Sequence, residues 1–424
     1  MAILILFTFG IGYLAIAFEE YIHINKAATA LVLGVLCWTI YAMNADAHVV
    51  SSQLSEQVTS ISSILFFLIG AMTIVQLIDA HDGFSIVYKL IKVSKTSSLL
   101  AIICLISFFL SAVLDNLTTA IIMVTVINKL MKDNPFRIYF IGMIVIAANA
   151  GGVWSPIGDV TSTMLWTGGR VSSRHLISGL FLPSLCSLLA PLFIAIRMVK
   201  GAERDIETIG EVEQPQAKHF EKNFVFFTGI GILLLVPIFK TVTHFPPFMG
   251  ITLGMGLLWM ITGLLHKGKS RREKYSLSVN HALEKIDMPS VLFFLGILLA
   301  VGALEATGQL HFMANNIGRF LSNDKLIVSF IGLLSAVIDN VPLVAATMGM
   351  YPLSVYPVDH SFWLFLSYSA GTGGSLLIIG SAAGIAAMGI GHVSFGQYLK
   401  KISWLALVGF VAGIGVFFLQ GLLS

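Results

Sequence analysis

Two short stretches put carboxylates inside otherwise apolar sequence. Ser111-Ala-Val-Leu-Asp115-Asn116-Leu-Thr118-Thr119 interrupts the run near 98–130, and Ser335-Ala-Val-Ile-Asp339-Asn340-Val-Pro342 interrupts 326–350. A carboxylate in hydrocarbon costs about 2.5–3.5 kcal/mol even on lenient scales, so it is usually placed for a cation, a proton or a partner. Asn and Thr side chains and freed carbonyls add neutral oxygens. Such a set suits a hard cation such as sodium, by analogy with other hard ions. The bland alternative is that Asp-Asn caps a helix, with Pro342 suited to its first turn. Two copies at matching positions favour a functional role and stay compatible with capping.

A third stretch is Asn149-Ala-Gly151-Gly152-Val-Trp-Ser155-Pro156-Ile-Gly158-Asp159-Val-Thr161-Ser162. Paired glycines, Ser-Pro and Gly-Asp do not make a continuous helix, since Pro156 removes a donor and clashes with the preceding turn. A span broken mid-membrane offers carbonyls on one side of the break and amides on the other, both ready to meet ions. A packing kink explains the glycines and Pro156 but not Asp159. The matching stretch, Ala370-Gly371-Thr372-Gly373-Gly374-Ser375-Leu-Leu-Ile-Ile-Gly380-Ser381-Ala-Ala-Gly384, keeps the glycines and has Ser381 where Asp159 stands. Three deep acids, Asp115, Asp159 and Asp339, are expected to converge. Clustered carboxylates in low dielectric cannot all ionise unless a cation is present. Cation entry then expels protons, and protonation expels the cation, which suffices for antiport.

Other polar groups have plainer readings. Asp79 and Glu305 sit at span ends and are expected to be interfacial anchors. Glu19, Glu20 and His23 flank a short loop and read as solvated, and His244 aligns with His23. The 80–97 segment, with Lys89, Lys92 and Lys95, resembles an amphipathic surface helix, and 306–325 matches it. Cys37, Cys104 and Cys186 read as buried hydrophobes without metal spacing.

The elements that position these residues follow from hydropathy. Only 11% of the 424 residues are charged and 56% are hydrophobic, with mean hydropathy +0.89. So few charges cannot cover a soluble surface, which leaves an all-α polytopic membrane protein. The net charge of +3 gives no reason to expect a nucleic-acid partner. The apolar N-terminus lacks a basic region and a cleavage site, so it reads as a retained span. Spans of about 20 residues are expected near 2–18, 27–43, 61–79, 136–165, 179–199, 224–240, 246–265, 290–305, 361–390 and 402–423. The stretches 98–130 and 326–350 read as re-entrant hairpins, tolerated only where buried in protein or facing a watery cavity. The loops 19–26, 80–97, 131–137, 197–223, 266–288 and 400–401, with Lys129 beside the third, hold 20 of the 25 Lys and Arg residues. This places them and the central loop 200–223 in the cytoplasm and both termini outside.

The halves resemble each other. LFFL recurs at 65–68 and 292–295, a span-end acid at Asp79 and Glu305, SAV-x-DN at 111–116 and 335–340, and the glycine-rich breaks at 149–159 and 371–381. The offsets are 227, 226, 224 and 222. Five spans and a hairpin per half put the second copy in upside down, a signature of secondary transporters with a midplane site. The expected units are a first inverted repeat at 1–199, a linker at 200–223 and a second repeat at 224–424. The broken spans are 136–165 and 361–390.

The motifs SAVLDNLTTA, NAGGVWSPIGDVTST, SAVIDNVPLV and SAGTGGSLLIIGSAAG resemble the NhaD-type sodium/proton antiporters. These belong to a wider ion transporter superfamily with arsenite permeases and dicarboxylate carriers. The resemblance implies exchange of Na+ or Li+ for H+ across a bacterial inner membrane, with no cofactor, and a homodimer. Where the dicarboxylate carriers have Ser before the tip Asn, this chain has Asp115 and Asp339. Neutral half-helix tips favour carboxylates, so an added Asp argues against an anion. The residues expected to bind cation or proton are Asp115, Asn116, Thr118, Asn149, Ser155, Asp159, Thr161, Asp339, Asn340, Thr372 and Ser375. A second tier holds Ser111, Thr119, Ser162, Ser335, Ser381, Asp79 and Glu305. The competing reading is a permease for a neutral or anionic solute such as arsenite or a dicarboxylate. No nucleophile–base arrangement or phosphate loop points to an enzyme.

Overall fold

A computed structural model of the chain describes residues 2–17, 19–85, 95–131, 134–200, 219–320, 323–337 and 339–423. All regular structure among them is helical. In the first half, α1 (Ala2–Ala17) and α2 (Glu19–Ile22) precede α3 (Lys26–Ala42) and α4 (Ala47–Ala80). Then α5 (Thr96–Leu114) and α6 (Asn116–Leu130) meet at Asp115. Next, α7 (Arg137–Gly152) and α8 (Val160–Thr167) are separated by residues 153–159, and α9 (Ser173–Val199) follows. The second half has α10 (His219–Thr243), α11 (Pro247–Leu265), α12 (Arg271–Ser276), α13 (Val279–Lys285), α14 (Met288–Ala306) and α15 (Gln309–Phe320). After these, α16 (Asp324–Leu334) and α17 (Asn340–Met350) form a second helical pair. Residues 374–381 divide α18 (Ser361–Gly373) from α19 (Ala382–Gly391), and α20 (Phe395–Lys401) and α21 (Ser403–Leu423) follow.

Among the described residues, α4, α5, α9, α10, α11, α14 and α21 are long and apolar enough to cross a membrane. Large apolar side chains such as Phe7, Phe227, Leu235 and Leu264 point outward, as lipid-facing surfaces require. The chain is therefore a multi-span, all-helical membrane protein.

Several boundaries differ from the hydropathy reading. The span expected at 61–79 begins at Ala47, where Asp46 caps it by accepting from His48 N at 2.9 Å. In its polar first turns the hydroxyls are satisfied by bonds back along the helix, Ser55 Oγ to Ser51 O and Thr59 Oγ1 to Ser55 O at 2.8 Å each. Hydropathy saw only the apolar remainder. The spans at 136–165 and 361–390, expected from their residues to be broken, are each two half-helices. At 2–18 and 27–43 stand helices of only 16 and 17 residues. α10 begins at His219, inside the expected linker, whose residues 201–218 lie outside the described ones. The surface helix expected over 80–97 falls largely on 86–94, also outside them, whereas its counterpart over 306–325 contains α15. α5 has 19 residues, more than half a membrane's depth requires.

Close helix packing uses small residues, as it must without a hydrophobic drive between helices in lipid. α3 lies against α14, and a Cβ at Gly34 or Gly296 would collide with the facing backbone. Trp38 Nε1 donates to Leu299 O at 2.9 Å across the same contact. Buried apolar side chains form two cores. One holds α5, α6, α7, α9 and α18, and the smaller one joins α3, α14 and part of α17.

Candidate functional site

The two helix breaks are built alike. α7 stops at Gly152 because Pro156 follows, with no N–H to continue the ladder. A Cβ at Gly151 would overlap the Phe108 carbonyl, and one at Gly158 the Ser111 carbonyl. In the second half, Gly373 meets the Gly332 carbonyl and Gly380 the carbonyls of Ser335 and Ala336 in the same way. Each tip is tied to the broken helix beside it. Ser111 Oγ donates to Ala148 O at 2.6 Å, and Ser335 Oγ donates to Ala370 O at 2.6 Å. The return arms cross between halves. α6 packs on α19, where Asn128 Nδ2 donates to Ile390 O at 2.7 Å, and α17 packs on α8.

Where the breaks face each other, a polar network fills the interior. Asn116 Nδ2 donates to Asn149 Oδ1 and to Asp159 Oδ1, both at 3.0 Å. Asn149 Nδ2 donates across the halves to Ser375 Oγ at 2.8 Å and Ser381 Oγ at 2.9 Å. Thr161 Oγ1 donates to Asp159 Oδ2. Both amide groups thus spend both N–H bonds, which fixes their orientation. Asp159 is only 2% exposed, and its two oxygens keep lone pairs after accepting these bonds. A buried carboxylate held only by neutral donors lacks the counter-charge that burial of an ion requires. A carboxylate so placed can take up either a proton or a cation, with amide and hydroxyl oxygens beside it.

The other expected residues are divided. Asp115 forms the junction of α5 and α6, with φ 124° and ψ 162°, a region that only glycine adopts freely. Its carboxylate accepts from Thr118 N at 2.7 Å and Thr118 Oγ1 at 2.8 Å. It thus caps its own helix, and the next residue, Asn116, donates to Asp159. Thr119, next along, keeps a buried hydroxyl without a partner. Asp339 caps α17 through Val341 N at 3.2 Å and pairs with Lys26 Nζ at 3.4 Å. Asn340 is buried at the head of α17. Ser155 accepts from Ile157 N at 3.4 Å inside the break, and Ser162 donates to Ser155 O at 2.9 Å. Thr372 turns back to Tyr368 O at 2.6 Å, outside the network that its neighbour Ser375 joins. Asp79 stands at the end of α4, and Glu305 accepts from Gln57 at 3.1 Å. Neither shares a hydrogen bond with the network residues. His23 and His244 both end helices with positive φ, 57° and 59°, so their alignment has a local backbone cause.

Two features escaped sequence reasoning. Lys26 lies 313 positions from Asp339 and was counted among loop charges. The second is a histidine pair just past the ends of α4 and α11. His81 Nδ1 donates to Leu77 O at 2.7 Å, so its Nε2 accepts from Nε2–H of His266 at 3.1 Å, with both rings neutral. Burial pushes the His81 imidazole down to about 4 from its usual 6.5. The ion pairs Lys222–Asp82 and Lys269–Glu221 lie on the same side. His81 lies thirteen positions beyond the last residue of the LFFL motif at 65–68, and that spacing gave no signal of this pairing.

The sequence was compared with known proteins. Residues 13–363 match the profile of the citrate transporter family. Sodium/proton antiporter 1 of Arabidopsis thaliana is 46% identical over 414 residues, covering 96% of this chain and 71% of that protein. Sodium/proton antiporter 2 of the same plant is 45% identical over 412 residues, covering 96% of each. The Na+/H+ antiporter NhaD of Vibrio cholerae is 30% identical over 442 residues, covering 96% of this chain and 90% of its own.

Proposed function

The chain belongs to the citrate transporter family, with named sodium/proton antiporters among its relatives, and from that premise we propose that it exchanges Na+ or Li+ for H+. The observation that carries this reading is Asp159, a buried carboxylate with only neutral donors, at the meeting point of two helix breaks. In the proton-loaded state Asp159 is neutral. In the cation-loaded state it is ionised, and Asn116, Asn149, Ser375 and Ser381 supply further oxygens. An empty, ionised state is costly in low dielectric, so the two loads replace each other. Asp115 contributes charge from the adjacent tip. Such a carrier is no enzyme and uses no cofactor, since its ions are its cargo.

The family profile's name raises a second reading, uptake of a tricarboxylate or similar anion. The hydrogen bonds around the breaks argue against it, because no Lys or Arg joins this network among the described residues and Asp159 would repel an anion. We further read 1–199 and 224–424 as inverted repeats with re-entrant tips. The duplicated serine ties and glycine contacts support this. The same reading places the central loop in the cytoplasm of a bacterial inner membrane, both termini outside, and two copies in a dimer.

Everted vesicles loaded with an acidic interior test the exchange. Added Na+ or Li+ is expected to dequench a ΔpH dye. Uptake of labelled citrate or arsenite without any response to Na+ or Li+ would establish the permease reading instead.

A further inference from the structure

Asp339 is the only one of the three deep acids given an ion-pair partner among the described residues. That partner belongs to another part of the chain. Lys26 opens α3, which packs on α14 in the smaller apolar core, whereas Asp339 sits at the junction of α16 and α17. Its Oδ1 caps α17 through Val341 N, and Oδ2 faces the ammonium at 3.4 Å. A tight charge-assisted bond is nearer 2.7–2.9 Å, so this pair is loosely closed. Both side chains also keep some exposure, 20% for Lys26 and 15% for Asp339. In the same position the ammonium lies over the Phe293 ring of α14, 4.6 Å from its centroid, where an aromatic face attracts a cation and helps hold it beside Asp339. Glu19 accepts from the Lys26 backbone N–H at 3.0 Å, which fixes the root of the side chain.

We propose that Lys26 is a tethered counter-cation that competes with the transported cation for Asp339. This rests on the antiport reading and adds a residue that sets cation affinity. With the ammonium on Asp339, the second tip is electrically satisfied and takes no ion. When the ammonium withdraws, Asp339 becomes a carboxylate free to attract Na+ or Li+. Asp339 heads α17, which packs on α8, the helix that Asp159 heads, so the position of Lys26 is felt at the central site. The half-saturating Na+ concentration then includes the work of displacing Lys26. Removing the lysine charge lowers that concentration, and removing the Phe293 face that helps hold the ammonium beside Asp339 lowers it by less.

The test is Na+-dependent dequenching in everted vesicles for the wild type, Lys26→Gln, Lys26→Arg and Phe293→Leu, with membrane levels measured. Lys26→Gln is expected to lower half-saturating Na+ by about fivefold or more, the lower end of typical coupling between two ligands, with the maximal rate retained. Lys26→Arg is expected to behave as wild type, and Phe293→Leu to shift half-saturation downward, by less than Lys26→Gln does. An unshifted half-saturation in Lys26→Gln overturns the proposal, as does an equal shift in Lys26→Arg. If Lys26→Gln does not reach the membrane, Phe293→Leu decides, and an unshifted or raised value there overturns it. A wild type inert to both Na+ and Li+ removes the antiport reading and this inference together, whereas an active wild type with unshifted variants removes the inference alone.

Discussion

The two tips share a frame and differ in charge and strain. Ser111 and Ser335 make the same bond to the adjacent broken helix, at the same length, and the glycine contacts repeat. Yet Asp115 is forced to φ 124°, while Asp339 relaxes at φ −49°. Asp115 is bound only within its own helix end, and Asp339 leans on Lys26. At the breaks, Asn149 and Asp159 of the first half face Ser375 and Ser381 of the second. The frame is alike on both sides, where its atoms are in close contact. The charge is not, and in the proposed reading one carboxylate at the crossing serves both halves. Two full acid sites so close would repel each other and raise the cost of ionising either.

The largest expected effect divides the breaks. Asp159→Asn should abolish Na+/H+ exchange, whereas Ser381→Ala at the matching position should weaken Na+ affinity and leave exchange measurable. Equal losses in a vesicle assay would mean that the halves contribute alike.

A smaller effect separates the tips. Asp115→Gly removes a strained backbone worth about 1–3 kcal/mol, and Gly replaces an N-cap at a cost of only a few tenths of a kcal/mol. It should therefore raise the melting temperature of the purified protein in detergent. Asp339→Gly has no strain to relieve and loses its ion pair, so it should melt lower. Shifts of the same sign would break the contrast.

The frame itself should respond evenly. Ser111→Ala and Ser335→Ala each remove one buried bond, so each should cost about 1 kcal/mol, with matching denaturation shifts. A large difference would show that one tie bears more than the other.

The smallest effect concerns pH. The histidine pair is a source of pH response separate from the carboxylates. Because His81 titrates near 4 when folded and near 6.5 when unfolded, the unfolded chain binds more protons between those values. Stability is full above pH 6.5 and falls as pH drops towards 4. His81→Gln should flatten that loss in a melting series while leaving the Na+ dependence of exchange at alkaline pH intact. A Na+ response altered along with the melting curve would join this pair to the cation site.

Much of this was legible in the residues. Pro156 and the glycines of both breaks pointed to interrupted spans, and SAV-x-DN marked the places where two helix pairs meet. Asp159 stood out because nothing structural asked for it. Other features depend on contacts that spacing does not carry. Asp115 and Asp339 read as equivalents until the backbone at one proved strained and the other met a lysine 313 positions away. Ser381 read as the counterpart of Asp159 and a second-tier candidate, and only the facing of the two breaks makes it a partner of Asn149. Thr372 was expected among the ligands, and spacing could not show that its hydroxyl donates to Tyr368 O within its own helix. The polar start of α4 was hidden because hydropathy does not register hydroxyls bonded back to the helix.

The central claim is that one carboxylate, Asp159, trades its proton for the cation. Proton release on adding Na+ or Li+ to weakly buffered, purified protein tests it most directly, comparing wild type with Asp159→Asn. The account expects saturable release from the wild type and none from the variant, with cation binding lost in parallel. Full proton release from Asp159→Asn would contradict it.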